Sequence, residues 1–190
     1  MGALLALIER RVGRFIAFLS LVSLGQALIG LSLGTRIGLA GALLATMNRA
    51  VGVAMVAGGF SFVQHHPKRR WQVVGGIAIL LGGLTLAGIP PMLGFAAGWS
   101  VYHDLAAANL LLVVLMLASN ALTVFATLRT VWMLFTEPKE IDETGEIKIV
   151  PYLCAAVGVA LFIIVIIAGI FPQIVAEPLV AALGNASYLK

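Results

Sequence analysis

Charged residues and cysteines are both scarce in this chain. Only 11% of the residues are charged, whereas about 25% are charged in a typical soluble domain. The single cysteine, Cys154, has no second thiol with which to form a disulfide or a thiolate metal site. Because 61% of the residues are hydrophobic, the composition excludes an ordinary soluble domain and indicates an integral membrane protein.

A basic net charge does not by itself indicate a nucleic-acid partner. The net charge is +4, but the basic residues form short clusters between apolar runs, as loop anchors of membrane proteins do. We therefore expect no nucleic-acid binding. The chain starts with MGALLALI, and its charges follow this apolar stretch. That order is the reverse of a secretory signal, so we expect mature sequence with a short interfacial helix.

Five apolar segments are each about as long as the roughly 20 residues that a spanning helix needs. They cover residues 15–33, 37–63, 72–103, 108–135 and 152–171. The sequence therefore predicts an all-α integral membrane protein with about five transmembrane helices in a lipid bilayer. We expect residues 1–190 to form a single transmembrane domain.

The third segment contains LAGIPPMLGFAAGW, in which two prolines interrupt an apolar run. Proline lacks an amide hydrogen and clashes with the preceding turn, so the helix should unwind near Gly88 and resume near Met92. Pro90, Pro91 and Gly94 complete this predicted hinge. Carbonyl groups freed at membrane depth need protein or water around them, so the break should face the inside of the bundle. Such breaks mark ion or substrate paths in transporters, although a proline kink that only shapes packing explains the sequence equally well.

The distribution of lysine and arginine predicts the orientation. Eight basic residues fall on one side of the predicted helices: Arg10, Arg11, Arg14, Lys68, Arg69, Arg70, Lys139 and Lys148. Only Arg36 and Lys190 fall on the other side. Because basic residues collect in cytoplasmic loops, we expect a cytoplasmic N-terminus and an external C-terminus. The membrane that we expect is a bacterial-type inner membrane. The acidic segment 137–146 does not change this prediction, since acids contribute little to the rule.

Four stretches of the chain resemble one family, in the family's order. LAGIPPMLGFAAGW resembles G-I-P-P-x-x-G-F-x-x-K, and RFIAFLSLVSLGQALIGLSLG resembles K-R-x-x-A-Y-S-S-x-x-H-x-G-x-x-x-x-G. GLAGALLATMNRAVGVAMVAGG resembles G-x-x-G-A-x-x-x-x-x-N-H-A-x-x-K-A-x-x-F, and LRTVWMLF resembles the arginine-bearing end of the next helix. The family is that of the antiporter-like subunits of respiratory complex I (NADH:quinone oxidoreductase), shared with Mrp-type sodium/proton antiporters and membrane-bound hydrogenases. The resemblance implies that the chain corresponds to the last five of the family's usual fourteen helices.

The resemblance also implies a chain of Lys, His and Glu side chains that carries protons in members that pump. This sequence departs from that pattern at four positions. The expected lysines fall on Val53 and Gly98, and the expected histidines fall on Ser23 and Arg49. Arginine cannot substitute, because its pKa above about 12 keeps it protonated. We therefore expect no complete proton relay within this chain.

Arg49 is the polar residue that the predicted helices bury at the greatest cost. An arginine at a helix centre costs about 2.5–3.5 kcal/mol, and no Asp or Glu lies near the middle of any predicted helix. Its partner is then the backbone carbonyls of the Gly88–Pro91 break, a hydroxyl of Ser20, Ser23 or Thr46, or an acid from another chain. A structural role and a field-setting or ion-path role are both open for Arg49.

Asn48, Ser23, His103 and Asp104 are the other candidates for an ion path or a field-setting role. Amide and hydroxyl groups inside apolar helices more often form interhelical hydrogen bonds, and the same applies to Gln26, Ser119, Asn120 and Thr123. His103 and Asp104 end the broken helix on the predicted external side, where they either exchange protons with water or form a solvated helix end. We expect Arg129 to be an anchor that snorkels to the interface.

The resemblance implies a shortened antiporter-like subunit in the membrane arm of complex I or a related ion-translocating assembly. Its partners would be other membrane subunits, especially antiporter-like chains, and it would contribute packing, spacing or half of a pathway. The alternative is a small oligomeric transporter or channel in which Arg49 draws an anion to the break. The sequence has no nucleotide motif and no cysteine cluster, so we predict no catalytic residue, metal site or cofactor.

Overall fold

The structure, a computed structural model, describes residues 1–65, 69–136 and 150–183. Within these ranges the chain forms eight α-helices and no β-strand. They are α1 Gly2–Ile8, α2 Val12–Ser32, α3 Arg36–His65, α4 Arg69–Leu86, α5 Leu93–Ala108, α6 Leu110–Thr136, α7 Val150–Ile170 and α8 Gln173–Leu183. Several residues used in the orientation prediction lie outside the described residues: Lys68, Lys139, Lys148, Lys190 and the acidic segment 137–146.

Helices α2, α3 and α6 are long and apolar enough to cross a membrane, by length and composition. A shorter apolar stretch, Ala155–Ile170, lies within α7. Helices α4 and α5, with 18 and 16 residues, are the two halves of the broken segment. The predicted class, an all-α multi-pass membrane protein with a discontinuous third helix, is therefore confirmed.

The break lies where the two prolines predict it. Helix α4 ends at Leu86 and α5 begins at Leu93, so six residues separate the two halves. Gly88 has a φ of 68°, a left-handed conformation that favours glycine over residues with a Cβ. The Pro90–Pro91 peptide bond is cis. Met92 is the N-cap of α5 and is extended, which confirms that the helix resumes there.

Helix α3 runs antiparallel to both halves of the broken helix. Its C-terminal half packs closely on α4, because a Cβ placed on Gly59 would lie 2.6 Å from the Gly75 carbonyl oxygen. Its N-terminal half packs on α5, where a Cβ on Gly41 would lie 2.9 Å from the Val101 side chain. The point on α3 between these two contacts is the level of Asn48. The antiparallel register therefore sets the middle of α3 opposite the break.

Helix α1 joins one end of the bundle. Ala6 of α1 is fully buried and packs in a cluster with Phe15 and Phe60, whose rings meet edge to face with centroids 6.1 Å apart. The outer surfaces of α2, α6 and α7 are apolar. Examples of large hydrophobic side chains that are more than half exposed there are Leu28, Leu111, Trp132 and Ile164. Such an outer surface suits lipid tails or apolar helices of other chains.

Candidate functional site

Asn48 ties the break to the middle of α3. Its Nδ2 donates a hydrogen bond of 3.0 Å to the backbone carbonyl of Thr85, in the last turn of α4. The Thr85 hydroxyl donates to the Leu81 carbonyl at 2.8 Å, within its own helix. Asn48 is only 3% exposed and Thr85 is fully buried. The predicted inward orientation of the break is thus realised by a neutral side-chain amide.

The oxygen of the Asn48 amide lacks a hydrogen-bond donor in the described part of the chain. Its Oδ1 is buried and accepts no hydrogen bond from the residues that the structure describes. Asn48 lines a small polar cavity of about 10 Å³, which is the space of about one water molecule. Ser23, Gln26 and Gly98 also line it. A buried amide oxygen without a donor is costly, and the cavity beside Asn48 has the size that one water molecule needs.

A chain of neutral hydrogen bonds continues from this cavity. Gln26 of α2 donates through Nε2 to Asn120 Oδ1 of α6. Asn120 in turn donates through Nδ2 to the hydroxyl of Tyr102 at 2.7 Å. Three helices, α2, α6 and α5, are therefore joined at this depth by amide and phenol groups. The sequence indicated Gln26 and Asn120 as interhelical hydrogen-bonding residues, and their contact confirms it, but it gave no reason to select Tyr102.

Two of the four departures from the family pattern meet at this cavity. Ser23 and Gly98, the positions where the resemblance implies a histidine and a lysine, both line it. The Ser23 hydroxyl donates to the Ser20 carbonyl at 3.0 Å. A Cβ on Gly98 would lie 3.1–3.2 Å from the Tyr102 ring, so Tyr102 occupies the space over Gly98. The third position, Val53, packs against an apolar cluster.

Arg49, the fourth position, lies beside Asn48 but does not share its contacts. It is half-buried, and none of the residues that the structure describes accepts a hydrogen bond from it or forms an ion pair with it. The sequence offered it the carbonyls of the Gly88–Pro91 break, but the contact from this part of α3 comes from Asn48, which binds the carbonyl of Thr85 just before the break. The Thr46 hydroxyl, another predicted partner, donates to the Ala42 carbonyl at 2.9 Å. A helical rotation of about 100° per residue explains why only one of two neighbours faces the break.

His103 and Asp104 lie near the end of α5 and reach the turn between α2 and α3. The hydroxyl of Thr35 donates to Asp104 Oδ2 at 2.7 Å and accepts the Gly38 N–H at 2.9 Å. His103 Nδ1 lies 3.5 Å from Asp104 Oδ1. The His103 side chain is 80% exposed and that of Asp104 is 16% exposed. Asp104 therefore links two helix ends, while His103 faces outward.

Arg129 does more than the anchoring role that its position in the sequence predicts. Its Nη1 donates to the Leu7 carbonyl at 2.6 Å and to the Glu9 carbonyl at 3.5 Å. These carbonyls belong to the last turn and C-cap of α1, where an α-helix leaves its carbonyls unpaired. A guanidinium at this end also complements the helix dipole. No sequence motif could reveal this contact, because 122 residues separate Arg129 from Leu7.

Glu9 holds the junction between α1 and α2. Its Oε1 accepts the backbone N–H groups of Arg10 and Arg11, each at 3.0 Å, and Arg14 lies 3.8 Å from its Oε2. The hydrogen bond from the Arg11 backbone has the largest effect, and the net result is that the pKa of the Glu9 carboxyl lies below its usual value. Glu9 therefore stays ionised at neutral pH.

The described residues bring no three His, Cys, Asp or Glu side chains together in an arrangement suited to a metal ion. The polar centre of the bundle consists instead of amide, hydroxyl and phenol groups, with one guanidinium beside it. Such groups bind water and orient neighbouring dipoles, but Tyr102 is the only one of the hydrogen-bonded set that can release a proton.

Comparison with known proteins gives several NADH-quinone oxidoreductase subunits N among the relatives of this chain. No family model matches the chain. NADH-quinone oxidoreductase subunit N of Jannaschia sp. (strain CCS1) is 30% identical over 169 residues, which cover 80% of this chain and 34% of that protein. Subunit N of Rhodococcus opacus (strain B4) is 29% identical over 90% of this chain and 34% of its own length. Formate hydrogenlyase subunit 3 of Escherichia coli (strain K12) is 29% identical over 54% of this chain and 20% of its own length.

The chain spans about a third of the length of the subunit N relatives that it matches. The names of these relatives agree with the family that the sequence motifs resemble. The chain is therefore similar, over most of its length, to about one third of an antiporter-like membrane subunit of the complex I family.

Proposed function

We propose that this chain is a shortened antiporter-like subunit, or part of one, in the membrane arm of a NADH:quinone oxidoreductase or a related ion-translocating assembly. In that role it supplies helix packing and a hydrated polar segment rather than a complete proton relay. The similarity to subunit N proteins and to a formate hydrogenlyase subunit supports the membrane-arm assignment.

The polar cavity beside the break supports the proposal that this chain supplies a hydrated segment and not a complete proton relay. Ser23 and Gly98 line it, at positions where the family pattern has ionisable side chains, and Asn48 and Gln26 supply neutral amides. A relay passes a proton between groups whose protonation state changes, and amides do not change theirs in the accessible pH range. The cavity thus favours water binding without proton storage.

Arg49 supports the assignment to a larger assembly. A permanently charged side chain in the middle of α3 needs an anionic or carbonyl partner, and the described residues supply none. The described acids lie elsewhere: Glu9 is at the α1–α2 junction, Asp104 is at the end of α5, and Glu177 is exposed in α8. A carboxylate on a transmembrane helix of a neighbouring subunit would complete the site.

We further propose that the protein lies in a bacterial cytoplasmic membrane with its N-terminus inside. Successive helices run antiparallel, so the α1–α2 junction and the start of α4 lie on the same side of the bundle. Five arginines lie at these places: Arg10, Arg11, Arg14, Arg69 and Arg70. The excess of basic residues on that side supports a cytoplasmic location for it.

Affinity purification tests the proposal. The chain is tagged at its C-terminus, extracted gently from native membranes and analysed by mass spectrometry. Recovery of quinone-reductase, hydrogenase or antiporter subunits in fixed stoichiometry is the expected result. Recovery of the chain alone as a discrete oligomer would contradict the assembly and favour the alternative, a small oligomeric transporter or channel in which Arg49 draws an anion to the break. Arg49 lines neither the polar cavity nor the apolar cleft between α3, α4 and α7, so the geometry gives that alternative no support.

Substitutions of Arg49 distinguish a role in assembly of the complex from a role in ion transport. Arg49→Ala should lower the yield of the intact complex, since the carboxylate of the neighbour loses its partner. Arg49→Lys keeps the positive charge and serves as the control, with a yield close to that of the unmodified chain. Normal yield of complex together with abolished ion pumping would show that Arg49 acts on the ion path instead.

A further inference from the structure

An apolar cleft of about 540 Å³ lies between α3, α4 and α7. All fifteen residues that line it are hydrophobic or glycine. Each helix contributes about two turns, namely residues 54–62, 74–81 and 155–162. The cleft is therefore on the order of 10 Å long, from the rise of about 1.5 Å per residue. Its size falls within the range of small-molecule sites, about 300–1,000 Å³.

One end of the cleft leads to arginine side chains through a series of ring contacts. Phe62 and Val74 form that end of the lining. The Phe62 ring contacts the Trp71 ring, with centroids 5.9 Å apart. The guanidinium carbon of Arg70 lies 5.4 Å from the centroid of Trp71. Arg69 and Arg70 are both exposed, so two cations are available where α4 begins.

The apolar lining and the arginines at one end of the cleft together favour an amphiphile with one anionic end. The lining offers no hydrogen-bonding side chain, so a polar ligand would lose its water without compensation inside the cleft. The arginines at the end favour a negative charge, and a guanidinium binds phosphate oxygens bidentately. Basic pockets between transmembrane helices bind anionic phospholipids in this way, with about 1 kcal/mol per Lys or Arg near the surface.

We propose that this cleft binds one acyl chain of an anionic phospholipid, whose phosphate is held by Arg69 and Arg70. The acyl chain lies against α3, α4 and α7 and fills space that these helices leave open. Trp71 stands between the apolar and the charged parts of the site, a location typical of tryptophan at a membrane interface. The proposal does not depend on the function proposed above.

Two glycines permit a direct test, because they face the empty part of the cleft. A Cβ placed on Gly58 of α3, or on Gly158 of α7, has no atom within 4 Å. Leucine at either position would fill the cleft without displacing backbone. Gly25 of α2 is also in open space but does not line the cleft. Gly25→Leu is therefore a matched control for Gly58→Leu and Gly158→Leu.

The experiment measures retained lipid. The full chain, with any associated subunits, is exchanged into micelles containing equal amounts of phosphatidylglycerol and phosphatidylcholine and washed with lipid-free detergent. Retained lipid is then quantified by mass spectrometry. We expect about one phosphatidylglycerol per chain and an enrichment over phosphatidylcholine of roughly 30-fold, the equivalent of ~1 kcal/mol for each of two arginines. Gly25→Leu retains both values, whereas Gly58→Leu and Gly158→Leu lose the bound lipid.

The double substitution Arg69→Gln with Arg70→Gln tests the head-group site separately. The enrichment should fall by roughly 30-fold towards unity, while an acyl chain still enters the cleft. An unchanged enrichment would overturn the assignment of the phosphate to these arginines. Equal retention of the two lipids by the unmodified chain would overturn it as well.

A fluorescence measurement keeps the proposal testable if the leucine variants do not fold. In a Trp99→Phe, Trp132→Phe background, Trp71 is the only tryptophan. Phosphatidylglycerol with brominated acyl chains should quench it more strongly than brominated phosphatidylcholine at the same mole fraction. Equal quenching would overturn the proposal. A lipid-free complex in which Gly58→Leu weakens subunit association would also overturn it, because a protein segment would then occupy the cleft.

Discussion

The bundle holds two irregular backbone segments, the α1–α2 junction and the α4–α5 break, by different means. At the junction the contacts are ionic: Arg129 donates to the carbonyls of Leu7 and Glu9, and the Glu9 carboxylate accepts two backbone N–H groups. At the break the contact is neutral, from Asn48 to the Thr85 carbonyl. In both segments a side chain binds backbone carbonyls, but only the junction uses charged side chains.

The difference follows from depth in the membrane. Charged groups at a helix end keep part of their hydration, so placing a guanidinium or a carboxylate there costs little free energy. In the middle of a helix a charge costs several kcal/mol, whereas an amide supplies one donor at lower cost. Arg49 is the exception, since it is charged and lies next to the neutral site. The proposed carboxylate of a neighbouring subunit would offset the cost of this charge.

Substitution of Gly94 should give the largest change in stability. The packing at the break leaves no space for a Cβ at this position. A Cβ on Gly94 would contact the Thr85 carbonyl oxygen and lie 2.8 Å from Asn48 Nδ2. Gly94→Ala should therefore lower the free energy of unfolding by about 3 kcal/mol, through overpacking and a weakened hydrogen bond. Thermal unfolding in detergent measures it. Gly25→Ala, in open space, is the control and should be neutral or stabilising. Similar results for both would show that the break tolerates a side chain.

Arg129→Met tests the ionic side of the comparison. The substitution keeps a long apolar stem but removes the donor to the α1 carbonyls, so we expect a loss of about 1.5–3 kcal/mol, the range for hydrogen bonds to charged groups. Arg129→Lys should lose less. The free energy of unfolding in detergent is the measurement. An Arg129→Met protein as stable as the unmodified chain would mean that water satisfies the α1 carbonyls equally well.

Arg49→Leu should behave oppositely to Arg129→Met. Arg49 makes no hydrogen bond with the described residues, so the isolated chain should change in unfolding free energy by less than about 0.5 kcal/mol or become more stable. The same detergent unfolding experiment decides it. A loss comparable with that of Arg129→Met would show that Arg49 has an acceptor within its own chain.

The smallest effect concerns pH at the junction. The backbone hydrogen bond from Arg11 lowers the pKa of the Glu9 carboxyl from its ordinary 4.5. A carboxyl with a lowered folded-state pKa contributes stability that is complete above the unfolded value and is lost as pH falls through the folded one. Stability should thus decrease slightly below about pH 4.5, as followed by unfolding at several pH values. In Glu9→Gln this decrease should be absent, and its persistence would assign it to another group.

Much of the fold follows from composition and local chemistry. Apolar runs of about 20 residues require helices, because backbone groups in lipid must be satisfied within the segment. The prolines at 90 and 91 then determine where one helix is interrupted. The break was predicted to within a residue or two for the same reason: its cause is local. Gly88, two residues after the end of α4, adopts the positive φ that glycine permits.

The partners of the polar side chains were decided only by the tertiary structure. The sequence shows Asn48 and Arg49 side by side, and the rotation of α3 against α4 selects Asn48 to bind the break, 37 residues away. Gln26 meets Asn120 across 94 residues, and Arg129 meets Leu7 across 122. Such contacts depend on helix register and rotation, which many residues set together through packing. The sequence by itself thus determined where the helices and the break lie, because those depend on local backbone chemistry, whereas packing over long separations decided which groups the break brings together.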